Sequence, residues 1–385
     1  MTLFLIVAGT TGSIITFEHE FDAALNPGLY YASRGDGQAP LDPLTLRERL
    51  QTQLPAGVRA WYVPLQHEPG HAQIFYVTLP EDQQDTGDNE YFVDPYNGKV
   101  LGSRLRGDLT QGLKNVLPFI YRLHYSLALE RVGTVIMGVV ALLWTFDCFV
   151  GAYLTLPVSA GQTRAKKPDK SWLRRWKPAW LVRATPLFAL IFTWHRASGL
   201  WIWGMLLVFA WSAVGLNLSE VYTPVMRAAF DMPKRGAERI PTLAQPRLEP
   251  KLSWQQAHAA AKALLAERAD LQRFAIVNER RLMYDAARGT YRYQVRSSLD
   301  VSDRYSSTTL WIDGDSARFV ALELPVGENA GSTLTTWIDS LHFGAVALGG
   351  MAYRLFVCVC GIAISVLSFT GAWIWWKKSR KRAAH

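Results

Sequence analysis

"LFVCVCGIAISVLSFTGAWIWWKKSRKR" (355–382) decides the fold. From Leu355 to Trp376 no residue is charged, and Lys377, Lys378, Arg380, Lys381 and Arg382 follow at once. A run of about 20 apolar residues is what a helix needs to cross the ~30 Å hydrocarbon layer. Three further runs have the same character: Leu3–Phe17, Val132–Leu156 and Leu187–Leu218. The first has no basic leading segment and no small-x-small cleavage site, so it is expected to be a retained helix rather than a signal peptide. The chain is expected to be a membrane protein, mainly α, with a four-transmembrane-helix bundle.

Lys and Arg set the orientation. The loop 157–186 carries Arg164, Lys166, Lys167, Lys170, Arg174, Arg175, Lys177 and Arg183 against Asp169 alone. This loop and the tail 377–385 belong in the cytoplasm. With four spans both termini are then cytoplasmic, and the polar regions between the spans lie outside. The net charge of +9 is mostly this topology signal and calls for no nucleic acid. Cys148, Cys358 and Cys360 all fall inside spans, which excludes a disulfide framework.

Each polar region reads as a small α+β domain. "NEYFVDPYNGKVLGSR" (89–104) is two strands around Asn97-Gly98, a hairpin signal because both residues tolerate positive φ. "TTLWIDGDSARFVALEL" (308–324) is a second hairpin. A helical stretch precedes each, at 41–54 and at 252–269, the latter with Ser253 as N-cap. The membrane segments repeat as well, each with a small-residue phrase toward its end: "TTGSIITF" (10–17), "FVGAYLTLP" (149–157), "SAVGLNL" (212–218) and "FTGAWIWW" (369–376). The chain is two similar halves, which gives residues of one half counterparts in the other.

Three of the eight histidines sit at the edges of apolar segments: His124 in "YRLHYSLALERVG", His195 in "FTWHRASGLWIWG" and His342 in "DSLHFGAVALGG". His124 and His342 are counterparts at the external side, and His195 lies at the cytoplasmic entry of the third span. An ionisable group near hydrocarbon is costly and is usually kept for function, and a neutral imidazole is a good haem-iron ligand. The competing reading is an interfacial histidine bonded to headgroups, a carbonyl or an acid. C-x-x-C-H is absent, so a haem here is b-type. Aligning Gly12 with Gly215 places the counterpart of His195 upstream of Met1. His19 reads as structural, with a lesser claim as a ligand. The pair His67 and His71 lies in a Pro- and Gly-containing stretch, which argues against zinc. His258 belongs to the outer region and His385 ends the chain. Asp147, inside the second span, is expected to pair with a basic residue. The tryptophans of the spans suit interfacial belts.

The hairpin "YFVDPYNGKVLGSR", the leading "GTTGSIITFEHEFDAALNP", the "LH" phrases and the closing "FTGAWIWWKK" together resemble the PepSY-associated transmembrane protein family. The order is span, PepSY, span, span, PepSY-like, span. The family includes inner-membrane ferric-siderophore reductases of the FoxB type. The resemblance implies b-type haem in the bundle and reduction of chelated Fe(III) to Fe(II) in the periplasm. It maps axial-ligand roles onto His124 and His342 for an outer haem and His195 for an inner one; no catalytic residue is singled out. The domains expected are a first transmembrane helix (1–17), a periplasmic PepSY-like domain (18–117) and an interfacial segment with the second helix (118–156). The basic loop (157–186), the third helix (187–218), a second PepSY-like domain (219–338), an interfacial segment with the fourth helix (339–376) and the tail (377–385) follow.

An oxygen-donor chelate grips Fe(III) far more strongly than Fe(II), so one electron loosens the iron. Two haems, one near each face, divide the path across the bilayer. Tyr91, Tyr96, Arg292 and Arg296 are candidates to hold a polar chelate. No G-x-G-x-x-G phrase follows a strand, so the donor is external, a quinol or a cytoplasmic reductase. The partners expected are membrane lipid and ferric siderophore, in the bacterial inner membrane. The rival readings are a membrane-anchored PepSY binding or regulatory module without haem, and a metal-chelate transporter.

Overall fold

The structure, a computed structural model, describes residues 1–385 except 33–38, 81–82, 85–86, 158–170, 235, 306–307 and 384–385. Arg164, Lys166, Lys167, Asp169, Lys170 and His385 lie outside the described residues.

In the first half, α1 (Thr2–Ile15), α2 (Glu18–Leu25) and α3 (Pro27–Tyr30) lead to α4 (Pro43–Gln51). Four strands follow: β1 (Arg59–Pro64), β2 (Gln73–Thr78), β3 (Glu90–Val93) and β4 (Val100–Arg104). The chain returns to the apolar layer through α5 (Val116–Ser126) and α6 (Glu130–Thr155). A short helix, α7 (Trp172–Trp176), precedes the second half, which opens with α8 (Leu187–Trp201), α9 (Trp203–Asn217) and α10 (Ser219–Ala229). It continues with α11 (Trp254–Gln272), β5 (Ile276–Asp285), β6 (Thr290–Ser297), β7 (Thr308–Asp313) and β8 (Phe319–Glu323), and closes with α12 (Ala330–His342) and α13 (Gly350–Ala383).

The strands form one antiparallel sheet in the order β4-β3-β2-β1-β5-β6-β7-β8. Alternation sets its inner face: Gln73, Phe75 and Val77 of β2 point inward and are buried, as a period of two requires. Gly98, at φ +77, closes the β3–β4 hairpin. The halves meet where β1 pairs with β5, Tyr62 opposite Met283 and Val63 opposite Leu282. The two polar regions therefore share a sheet and a single core. Leu46, Leu50, Val63 and Phe75 from the first pack with Leu265, Leu282, Tyr291 and Ile312 from the second. The helices over the sheet start at true caps. Asp42 accepts from Leu44 N–H and Thr45 N–H at 3.0 Å, and Ser253 forms the expected cap, reciprocated by Gln256.

Two helices, α6 and α13, are long and apolar enough to cross a membrane; there are four spans if each bent pair counts as one. α13 has 34 residues, on the order of 50 Å at 1.5 Å per residue, so it outruns the hydrocarbon layer at its basic end. Its partner is α1. Gly9 and Gly361 let the backbones touch, since a Cβ on Gly9 would stand 2.5 Å from the Gly361 carbonyl oxygen. Ser13 Oγ donates to the Cys358 carbonyl at 2.9 Å across the same contact. Small residues at a helix crossing with hydroxyl bonds between helices are the usual means of association in lipid. Leu5 of α1, Val140 and Cys148 of α6, Phe209 and Ala210 of α9, and Cys360 and Ile364 of α13 share one apolar core. Facing away from it, Phe146, Leu154, Val359 and Phe369 are exposed, a surface suited to acyl chains.

The expected span Leu187–Leu218 is not one straight helix. It breaks at Ile202 (φ −109°, ψ 13°), and α8 and α9 meet at 68°. The local sequence "GLWIWG" is poor in helix formers, with glycine at both ends. The two indoles also bond outside the helix: Trp201 Nε1 donates to the Trp180 carbonyl at 3.2 Å and Trp203 Nε1 to the Cys148 carbonyl at 2.8 Å. α1 and α2 likewise meet at 70°. There Arg354 of α13 reaches both Glu20 and the Thr16 carbonyl, bracing the bend.

Candidate functional site

His124 lies in the last turn of α5. A tight corner joins this helix to α6, with Leu127, Ala128 and Glu130 all at positive φ (53°, 56° and 50°). Left-handed conformations in side-chain-bearing residues each cost roughly 1–3 kcal/mol and survive only where packing enforces them. Gly133 is required here, because a Cβ would fall 1.6 Å from the Ser126 carbonyl oxygen. The corner lays α5 across α1 and aims the imidazole at Thr11, whose Oγ1 is 3.0 Å from Nδ1. Gly12, next in sequence, leaves room for the ring: its Cβ would be 3.0 Å from His124 Cε1.

His342 ends α12, a helix capped by Asn329, whose side chain accepts from Ser332 N–H at 2.9 Å. Its Nδ1 bonds to Ser212 Oγ of α9, and its ring stands edge-on to Phe209. His195, in α8, bonds through Nδ1 to Thr370 Oγ1 of α13 at 2.9 Å. Gly371 again follows the hydroxyl, and its Cβ would lie 3.2 Å from His195 Cε1.

The three sites share one device. Each hydroxyl already donates to the carbonyl one turn back: Thr11 to Val7 at 2.6 Å, Ser212 to Val208 at 2.6 Å and Thr370 to Val366 at 2.8 Å. A hydroxyl has one proton. Where the proton stays on that carbonyl, the hydroxyl oxygen accepts and the imidazole nitrogen facing it carries the hydrogen. The neutral ring then has its lone pair on Nε2, and none of the three rings is fully buried. Anchoring one nitrogen to free the other is how metal-binding histidines are oriented. His124 on α5 and His342 on α12 are both held against the bundle at the sheet end of the helices, by Thr11 and Ser212. His195 stands at the other end, where Lys378 packs over Phe192 and Phe188 meets Trp373.

Above the outer pair runs an aromatic and cationic lining drawn from both halves. Arg106 lies over Tyr121 at 5.6 Å, and Tyr121 is within electrostatic reach of Tyr305. Tyr305 packs on Phe343 at 5.3 Å, and Phe343 on His342 at 5.3 Å. Burial pushes the Tyr305 phenol up, while Arg304, Arg354 and Arg281 stand near enough to oppose this. Two of the residues foreseen for a polar ligand lie elsewhere. Tyr96 is buried with its hydroxyl near Gly70 N–H, and Arg292 lies over Trp311 and lines a cleft of about 930 Å³ between the halves.

His67 and His71 do not form a pair. His67 packs edge-on against Tyr96, whereas His71 meets Glu68 and the ring of His19. Asp147 is exposed on α6 with no basic partner among the described residues. The three hydroxyl partners were not singled out by sequence reasoning. For Thr11 and Thr370 the legible signal was a hydroxyl immediately before glycine in two of the repeated phrases.

Apolar helices long enough to cross a membrane, two of their pairs bent, together with one eight-stranded antiparallel sheet define a class of membrane-associated protein. The chain belongs to the PepSY-associated TM region family, whose model matches residues 1–378. No curated protein matches the sequence.

Proposed function

We propose that the protein is a haem-carrying oxidoreductase of the bacterial inner membrane that passes electrons outward and reduces Fe(III) held in a siderophore. The observation behind this reading is the repeated imidazole–hydroxyl pair. It holds Nδ1 of His124, His342 and His195 against a hydroxyl and leaves Nε2 as the nitrogen to face a ligand in each. Those donors fit a b-type haem. His124 and His342 approach from two helices, and Phe209 and Phe343 supply flat apolar wall. His124 and His342 are assigned to an outer haem and His195 to an inner one. When bound, haem supplies a one-electron carrier whose potential is set by its axial ligands and their hydrogen bonds.

The protein's own groups do the rest. Thr11, Ser212 and Thr370 hold the imidazoles by Nδ1, and the bundle core keeps water from the path. The lining of Arg106, Tyr121, Tyr305 and Arg304 receives a polar, oxygen-rich chelate next to His342. Fe(III) in the chelate gains one electron and is released as Fe(II), which oxygen donors hold weakly. On this reading the α8 entry and the α13 tail, beside the basic segments, face the cytoplasm and the sheet faces the periplasm, with quinol or a cytoplasmic reductase as electron source.

An absorption spectrum of the purified protein tests this. A Soret band that loses intensity or changes spin state in His124→Ala and His342→Ala, with a dithionite-reduced form reoxidised by ferric siderophore, is expected. A protein without a Soret band leaves the binding-module reading. A haem protein that ferric siderophores do not reoxidise keeps the ligands and loses the substrate.

A further inference from the structure

We propose that His19, Glu68 and His71 form a binding site for a divalent first-row transition ion on the sheet side of the bundle. Their ligand atoms all lie within 4.8 Å of one another. His19 Nε2 stands 3.6 Å from one Glu68 oxygen, and His71 Nδ1 stands 3.4 Å from the other. An ion with bonds near 2.1 Å has neighbouring donors roughly 3–3.5 Å apart, so each imidazole already stands near coordination spacing from its own Glu68 oxygen, as a chelating carboxylate would use them. The separation of the two imidazoles closes by rotation of a side chain.

The backbone beneath these donors is already fixed. His19 sits three residues before Asp22, whose carboxylate binds the fully buried Arg104 at 2.7 Å; Arg104 in turn binds buried Glu90. That pair locks α2 to β3 and β4. On the other side, Gly70 at φ +79° turns the loop back, and its carbonyl accepts from Ala32 N–H at 3.0 Å. Ala72 N–H donates to the Tyr30 carbonyl at 2.8 Å, and the Tyr31 ring packs on the His71 ring at 4.8 Å. Donors on a rigid frame lose little entropy when an ion arrives.

One donor lacks any hydrogen bond. His71 Nδ1 is buried and has no hydrogen-bond partner. Burying a polar atom without a partner costs about 1–3 kcal/mol, a cost that coordination removes. Glu68 is about three-fifths exposed and His19 about two-fifths, so water completes the coordination sphere. Two imidazoles with one carboxylate select Fe(II), Co(II) or Zn(II) over the hard ions Mg(II) and Ca(II), which take oxygen alone. None of the three residues takes part in the haem reading, and the site stands whether or not haem is bound.

The test is isothermal titration calorimetry of the full-length protein in detergent with Zn(II) as probe, repeated with Mg(II). Saturable one-to-one Zn(II) binding is expected, weakened at least about tenfold in His71→Ala, His19→Ala and Glu68→Gln. His67→Ala removes the neighbouring histidine, whose ring is held on Tyr96, and is expected to bind as the parent does. Circular dichroism confirms that each variant retains its fold, and Glu68→Gln keeps the side-chain shape if an alanine variant does not. The site is overturned if the parent shows no saturable binding, if all four variants bind alike, or if Mg(II) binds as tightly as Zn(II).

Discussion

The two halves use the same phrase to different ends. In the second half, "FTGAWIWW" puts Thr370 against Nδ1 of His195 and Gly371 under its ring. In the first, the matching "FVGAYLTLP" has Val150 where Thr370 stands, and a Cβ on Gly151 would meet no described atom within 4 Å. At the sheet end the halves agree more closely: Thr11 and Ser212 both hold an imidazole, though Gly12 touches its ring while Gly215 packs beneath Tyr222. A glycine near a span end is therefore not itself the sign of a ligand. A hydroxyl before it and an imidazole against it, arriving from another helix, make the difference.

The sharpest way to break the comparison is to remove the rings. His124→Ala and His342→Ala are each expected to abolish the outer haem and with it reduction of ferric chelate, read by spectrum and by reoxidation rate. His195→Ala is expected to spare the outer signal. Next come the hydroxyls: Thr11→Val, Ser212→Ala and Thr370→Val are each expected to lower haem retention or activity by roughly 10–100-fold, whereas Val150→Thr changes neither. The glycines follow. Gly371→Ala pushes a methyl to 3.2 Å from His195 Cε1 and is expected to shift the inner haem's potential, while Gly151→Ala is silent.

Two predictions concern the sheet domain. Arg104→Ala leaves Asp22 and Glu90 buried without their partner and is expected to destabilise the protein by about 3–5 kcal/mol in denaturant titration. Glu279 gives a smaller, pH-dependent effect. Its carboxyl is pushed down to about 2 by hydrogen bonds from His258 and Lys262, against burial, which raises it. A carboxylate whose folded pKa is depressed contributes stability above its unfolded value, and loses it as protons bind. The stability difference between the parent and Glu279→Gln is thus expected to be full at neutral pH and to fade as pH drops from 4.5 to about 2.

Much of the architecture was legible because it is written locally. Asn97-Gly98 and Ser253 announce a turn and a cap through their own backbone preferences, and the apolar runs announce membrane helices by length. The β1–β5 joint was not legible, since Tyr62 and Met283 are far apart in sequence and an edge strand shows no mark of its partner. The bend at Ile202 was hidden because an apolar run is counted without regard to where its indoles find acceptors. The site was half legible. His124, His195 and His342 stood out as polar residues beside hydrocarbon, but their hydroxyl partners come from other helices. The trio of His19, Glu68 and His71 is assembled across 52 residues by folding alone, with no spacing rule to reveal it.

The continuous sheet has a mechanical consequence. α5 descends from β4 and α12 from β8, the two outermost strands of an eight-stranded plate. With about 4.8 Å between strands, the arms leave the plate on the order of 34 Å apart, yet both end against the helix bundle, His124 on Thr11 of α1 and His342 on Ser212 of α9. The protein works as a pair of calipers: the plate is the beam, the two arms are the jaws, and the gap between the imidazoles gauges whether the beam is whole.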